Sequence, residues 1–183
     1  GILTGYIGGA FDMLSQRIID SILAFPTLIL ALILMAALGA SVNNVVIAIV
    51  VVLIPTSTRT IRANVLGLKQ NIYLEAARAI GASNFRIMFW HILPNTLAPY
   101  FVLFSLDLGG AIITEASLSF LGLGVPPDVP SWGGMMTYAG IKFISAGPWI
   151  AIFPGTAIAL TVYGFNLLGD AIRDVMDPRL RGR

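Results

Sequence analysis

The sequence has no cysteine and a single histidine, His91. The first absence excludes a disulfide framework and a thiolate metal site, and one histidine excludes a His-based metal cluster. Charge is scarce too. Asp, Glu, Lys and Arg make up 11% of the 183 residues, against about 25% in an ordinary soluble domain. Apolar residues fill the gap: 57% of the chain is hydrophobic and the mean hydropathy is +0.87. Such a chain is too apolar to be disordered and lacks the polar residues that cover a soluble surface. The net charge of +2 says less than its placement.

The longest charge-free run lies between Asp20 and Arg59 and holds 38 residues. Gly39 and the polar stretch Ser41, Asn43, Asn44 interrupt it. About 20 residues cross a hydrocarbon core, so the run reads as two spans, about 21–38 and 42–58, joined by a tight hairpin. A buried hairpin of a soluble protein is the alternative. Helices apolar all round belong to membranes or to the cores of large proteins, and 183 residues do not make a large core. Further spans are expected at about 91–123 and 148–169, with a partial span at 1–10. The expected fold class is all-α: one polytopic transmembrane helical bundle over 1–183 with four to five spans. No Met opens the chain and no basic region precedes the apolar start, so it does not read as a signal peptide. It reads as the end of a span in a chain truncated at its N-terminus.

Between Arg59 and Arg86, Arg59, Arg62, Lys69, Arg78 and Arg86 face one acid, Glu75. Placing this segment in the cytoplasm, by the rule that positive loops stay inside, puts Arg17 and the tail inside as well. Ten of the eleven Lys and Arg are then cytoplasmic, with Lys142 alone outside. The Pro-, Gly- and Trp-rich stretch 126–148 is external on this trace, and the C-terminus is cytoplasmic. The tail 170–183, with four Arg and three Asp, reads as a helix end at the inner surface, pairing with itself and with lipid phosphate.

The basic segment 59–90 carries the informative pattern. Glu75-Ala76-Ala77-Arg78-Ala79-Ile80 is strong helix-forming sequence. Gly81 stands where a helix ends in the left-handed conformation, and Ser83 or Asn84 can cap a second helix that leads to Leu93-Pro94. The Ala pair is expected to leave a smooth face for docking into a partner's groove. Glu75 can pair with Arg78 or with a partner's Arg. The spacing Glu75-Ala76-Ala77, three residues, Gly81, nine residues, two more and Leu93-Pro94 resembles the EAA motif of ABC importer permeases. His91 stands where that family usually has Ile, but His-Ile-Leu-Pro is similar to the peptide-importing branch. Glu115 to Gly124, Pro130-Ser131-Trp132-Gly133, Asn166 to Asp170, Arg173-Asp174 and Asp177-Pro178-Arg179 resemble the dipeptide, oligopeptide and nickel permeases of that branch, and Gly5-Tyr6 to Gly9 resembles the end of its second span.

The resemblance implies a permease subunit in the cytoplasmic (inner) membrane of a prokaryote. It would translocate di- or oligopeptides or a related small solute. Its partners would be a homologous second permease, two cytoplasmic ATP-binding subunits, an extracytoplasmic substrate-binding protein and membrane lipid, with no nucleic acid. ATP and Mg would be bound by the ATPase partners, leaving no cofactor in this chain. Glu75, Ala76, Ala77, Arg78, Gly81, Leu93 and Pro94 would form the coupling element on those partners. Gly122-x-Gly124 lacks the Gly-Lys-Ser/Thr of a phosphate loop. No nucleophile–base pair is visible, so the chain is not expected to be an enzyme.

Other residues keep two readings. Glu115, Asp107 and Ser117 lie in an apolar run, where ionisable groups usually face a cavity, a partner or the bundle interior. They can line the translocation path, or Glu115 can bond backbone or a partner permease near the outer end. A different class of protein, an ion-coupled secondary transporter or channel, would use Glu115 as its ion site. Gly109-Gly110 allow close helix packing or local unwinding. His91 can make an interfacial polar contact or act as a pH switch. Trp90, Trp132, Tyr138 and Trp149 fit an aromatic belt, and the 126–148 stretch can also contact the binding protein.

Overall fold

The computed structural model describes residues 1–143 and 147–176, and every regular element among them is helical. The order is α1 (Ile2–Ile7), α2 (Gly9–Leu23), α3 (Thr27–Leu38), α4 (Val42–Leu68), α5 (Ile72–Ala79), α6 (Asn84–Ile87), a π-helical turn (Met88–Ile92), α7 (Leu93–Phe120), α8 (Trp132–Phe143) and α9 (Trp149–Met176). The Asp177-Pro178-Arg179 part of the tail lies outside the described residues, as do the side chains of Tyr138 and Lys142.

Among the described residues, three helical stretches are long and apolar enough to cross a membrane by length and composition: Val42–Leu68, Asn84–Phe120 and Trp149–Met176. The pair Gly9–Leu23 and Thr27–Leu38 makes a fourth if its two halves count as one broken span. The expected run 21–38 is thus carried by two helices. Pro26 is the cause. It lacks an N–H and disfavours helix at Phe25, so α2 closes with the Ala24 N–H on the Asp20 carbonyl and α3 starts afresh behind Pro26. The other runs extend past their expected ends. α4 continues to Leu68 and takes Arg59 and Arg62 into helix, α9 continues to Met176, and α8 occupies part of the 126–148 stretch. Charge scarcity marks where a helix is apolar, not where it stops.

The chain divides into two compact units, and α4, α7 and α9 contribute residues to both. One unit holds Gly1–Ala24, Ile54–Phe104 and the chain from Gly169. Its core is Tyr6, Ile61, Val65, Leu74, Ile87 and Ile92, with Ile2, Leu68, Ala82, Met88 and Leu103 packed on it. α1 lies close on α4 through two small residues one turn apart. A Cβ at Gly1 would stand 2.8 Å from the Thr58 carbonyl oxygen, and one at Gly5 would stand 3.0 Å from Val65. Small residues at this spacing let helix backbones approach. Two ion pairs tie α2 to α4. Arg62 grips Asp12 with two bonds of 2.6 Å, and Arg59 pairs with Asp20.

The other unit holds Phe25–Leu53 and Ser105–Leu168. Its core is Ala31, Met35, Val45, Ala48, Val52 and Leu118. The expected hairpin joins α3 to α4 at Gly39, which has φ of 84°. Asn44 Nδ2 donates to the Leu38 and Gly39 carbonyl oxygens at 2.8 and 3.0 Å, satisfying acceptors that a helix end leaves open. Gly109 is a packing position: a Cβ there would meet Asn166 Oδ1 at 3.4 Å and Val162 at 3.5 Å.

Candidate functional site: a helix–glycine–helix element

α5 is short and two-faced. Leu74 and Ala77 are buried, while Ile72, Glu75, Ala76, Arg78 and Ile80 are exposed. The Ala pair is therefore split: Ala77 seats the helix on its core and Ala76 faces out. Acid precedes base along the helix, with Glu75 in the first turn and Arg78 in the last, which suits the helix dipole.

The helix ends as its sequence demands. The Ala82 N–H donates to the Ala77 carbonyl at 3.0 Å and the Gly81 N–H to the Arg78 carbonyl at 2.9 Å. This paired pattern needs a left-handed residue after the cap, and Gly81 supplies it at φ of 85°. Ser83 is the N-cap of α6, where its Oγ accepts from the Arg86 N–H at 3.3 Å. Asn84 is thereby left for another role.

Beyond α6 the helix widens. Pro94 has no N–H to return to Trp90, and the Leu93 N–H bonds back to the Met88 carbonyl, five residues away. Asn95 Nδ2 donates to the His91 carbonyl at 2.6 Å. Leu93-Pro94 thus marks the exit of a π turn, a feature common at functional positions. That turn presents His91 toward α5, and the Tyr73 and His91 ring centroids are 6.2 Å apart. A hollow of about 490 Å³ opens between the two helices, lined by Tyr73, Ala76, Ile80, Gly81, Arg86 and His91 among others. Its lining side chains are apolar apart from the Tyr hydroxyl, one imidazole and one guanidinium.

One side chain joins this element to the start of the chain. Tyr6, buried in α1, donates its hydroxyl to Asn84 Oδ1 at 2.8 Å. Its ring lies beneath the Arg78 guanidinium at 5.9 Å and near Lys69 Nζ at 5.7 Å, within the range of a cation–π attraction. Lys69 Nζ also donates to the carbonyls of Gly5 and Tyr6, at 3.3 and 2.9 Å. Arg78 is thus directed onto Tyr6, not onto Glu75. Residue patterns do not reveal this arrangement, since Tyr6 and Asn84 are 78 positions apart. The only local signal is the choice of Ser83 over Asn84 as cap.

The residues proposed for a path do not form one cluster. Glu115 Oε1 accepts from Ser119 Oγ at 2.7 Å, and Glu115 lines a hollow of about 400 Å³ with Val42, Val129, Ser131, Trp132 and Met135. Ser117 donates to the Ile113 carbonyl at 2.7 Å and lines a different hollow, with Leu28, Phe120, Met136 and Ile158. Asp107, half-buried on α7, lines neither.

A family model described as "Binding-protein-dependent transport system inner membrane component" matches residues 1–182. The chain is 47% identical over 181 residues to the glutathione transport system permease protein GsiD of Pectobacterium atrosepticum, covering 99% of this chain and 60% of that protein. It is 45% identical over 181 residues to the dipeptide transport system permease protein DppC of Alkalihalophilus pseudofirmus, covering 99% and 59%. The chain therefore spans about three fifths of the length of the curated relatives it matches.

Proposed function

The chain belongs to the family of binding-protein-dependent transport system inner membrane components, and on that basis we propose that it forms the translocating part of an ATP-driven importer of small peptides. Its helices make it a multi-pass membrane protein. The reading of the substrate rests on its similarity to permeases named for glutathione and for dipeptides. The partners are a second permease, two ATP-binding subunits that hold ATP and Mg, and an external substrate-binding protein. The α5–Gly81–α6 element and the C-terminus lie on the cytoplasmic side.

The observation that carries the reading is the outward face of α5. An eight-residue helix is too short to be stable alone, yet this one is anchored through Leu74 and Ala77 and turns Ile72, Glu75, Ala76 and Ile80 outward. Two large apolar side chains more than four fifths exposed, Ile72 at 82% and Ile80 at 87%, mark a surface made to be covered. An ATP-binding subunit docked there would pull or push α5, and the displacement would reach α4 and α7 through the core around Leu74 and Ile87. Glu75, Ala76, Ala77, Arg78, Gly81, Leu93 and Pro94 act mechanically in this scheme.

The test is uptake by the complete complex in proteoliposomes. Labelled dipeptide should enter only with ATP and the binding protein present, and an ATP-binding subunit should co-purify through α5. Uptake driven by an ion gradient without ATP would instead support an ion-coupled carrier using Glu115.

A further inference from the structure

We propose that Tyr6 is a positioning residue that braces the Gly81 hinge, so that α5 and α6 transmit displacement as one body with α1. Gly81 is a weak point for force. It has φ of 85° and no side chain of its own to pack, so the angle there is held by the two backbone bonds of the helix end and by contacts from its neighbours. α5 is held otherwise by two buried side chains, Leu74 and Ala77. A contact that spans the glycine adds to these holds when the helix is pushed.

Tyr6 touches the chain on both sides of that hinge. Its ring carries Arg78, three residues before Gly81, and its hydroxyl bonds Asn84, three residues after it. The two contacts fix the angle between α5 and α6. Tyr6 itself is well held: it is 8% exposed, and Lys69 ties the carbonyls of Gly5 and Tyr6 to the end of α4. α1 is in turn pressed on α4 through Gly1 and Gly5. A push on α5 then arrives at α1 and α4 without slack at Gly81.

The inference rests on the reading above that α5 takes its displacement from an ATP-binding subunit. The readout is therefore the number of ATP molecules hydrolysed per substrate taken up by the complete complex in proteoliposomes. Tyr6→Phe keeps the ring and loses the bond to Asn84; Tyr6→Leu loses both contacts. One hydrogen bond is worth about fivefold in an equilibrium, so Tyr6→Phe should raise the ratio about twofold to fivefold and Tyr6→Leu should raise it further. Asn84→Ala should match Tyr6→Phe, the double variant should be no worse than either, and Asn84→Asp, which keeps an acceptor oxygen, should stay near wild type. A merely structural role would lower the amount of complex, or lower hydrolysis and uptake together. A ratio unchanged in both Tyr6 variants overturns the inference. If Tyr6→Leu does not accumulate in the membrane, Tyr6→Phe and Asn84→Ala decide. A wild-type complex with no ATP-dependent uptake would overturn the importer reading itself, and the brace with it, a result distinct from a working importer whose variants keep the wild-type ratio.

Discussion

Tyr6 in the first helix and Asn84 in the sixth are joined by a 2.8 Å hydrogen bond across 78 positions of sequence. The bond closes the start of the chain onto the helix–glycine–helix element. It exists because Ser83 takes the capping role at α6, which leaves the Asn84 carboxamide free to accept. The same phenol ring lies against Arg78, so one aromatic residue organises the charged face of α5 as well as the start of α6.

The Gly81 conformation is the first feature to test. A non-glycine residue in the left-handed region costs about 1–2 kcal/mol, and more if β-branched. Nothing within 4 Å would crowd a Cβ there, so the cost is backbone strain alone. Gly81→Val should leave membrane insertion intact and abolish most ATP-driven uptake. Gly81→Asn, which tolerates positive φ, should retain most of it. Uptake assays beside immunoblots of the membrane fraction separate the two effects. Wild-type uptake by Gly81→Val would remove the element from the coupling route.

Two ion pairs between the same helices should differ in worth. Arg62 and Asp12 are 27% and 14% exposed and bidentate, whereas Arg59 and Asp20 are 53% and 49% exposed. A fully buried pair costs about 3–5 kcal/mol to break; this one is only partly buried, so Arg62→Gln should cost less than that but more than an exposed pair. The exposed pair is worth about 0–1 kcal/mol. Thermal unfolding in detergent should rank Arg62→Gln and Asp12→Asn well below Arg59→Gln. Arg62→Lys should also lose stability, since an ammonium cannot make the forked contact.

These pairs show where sequence reading reached and where it stopped. Composition pointed to an all-helical apolar chain, and a glycine after a helix-forming stretch pointed to the left-handed Gly81, because each follows from local chemistry. Ending the span at about 58 and starting the basic segment at Arg59 missed that α4 runs on to Leu68. Their partners Asp12 and Asp20 come from a helix about 40–50 residues earlier, and no local pattern encodes that. The split of Ala76 from Ala77 depends on which face of α5 meets the core. The break of 21–38 at Pro26 was legible in principle, since proline without an N–H is a local signal.

Three glycines offer a contrast of sign. A Cβ on Gly133 would stand 2.3 Å from the Ala116 carbonyl oxygen, and one on Gly124 would stand 2.5 Å from Ser119 backbone. Backbone cannot move aside cheaply, so Gly133→Ala and Gly124→Ala should each cost at least about 1–3 kcal/mol. Gly67 is the penultimate residue of α4, with nothing within 4 Å of a Cβ there, so the interior-helix gain is an upper limit. Gly67→Ala should stabilise by at most about 0.5–1 kcal/mol. Melting temperatures of the three purified variants test the ranking, and a stabilised Gly133→Ala would contradict the close seating of α8 on α7.

Glu115 separates transport mechanisms. Its carboxylate accepts from Ser119 Oγ at 2.7 Å and opens onto the hollow lined by Val129, Ser131 and Trp132. Glu115→Gln keeps an acceptor for that hydroxyl, so the fold and the hollow should persist while the negative charge is lost. If the carboxylate meets the ammonium group of a passing peptide, the lost charge-assisted contact is worth about 1.5–3 kcal/mol. Uptake should then fall about tenfold or more while ATP hydrolysis and complex recovery hold. Substrates lacking an ammonium group should be unaffected by the substitution. Equal loss for both substrate kinds would place Glu115 in packing of α7 instead, and a dependence of uptake on the ion gradient that vanishes in Glu115→Gln would make it an ion site.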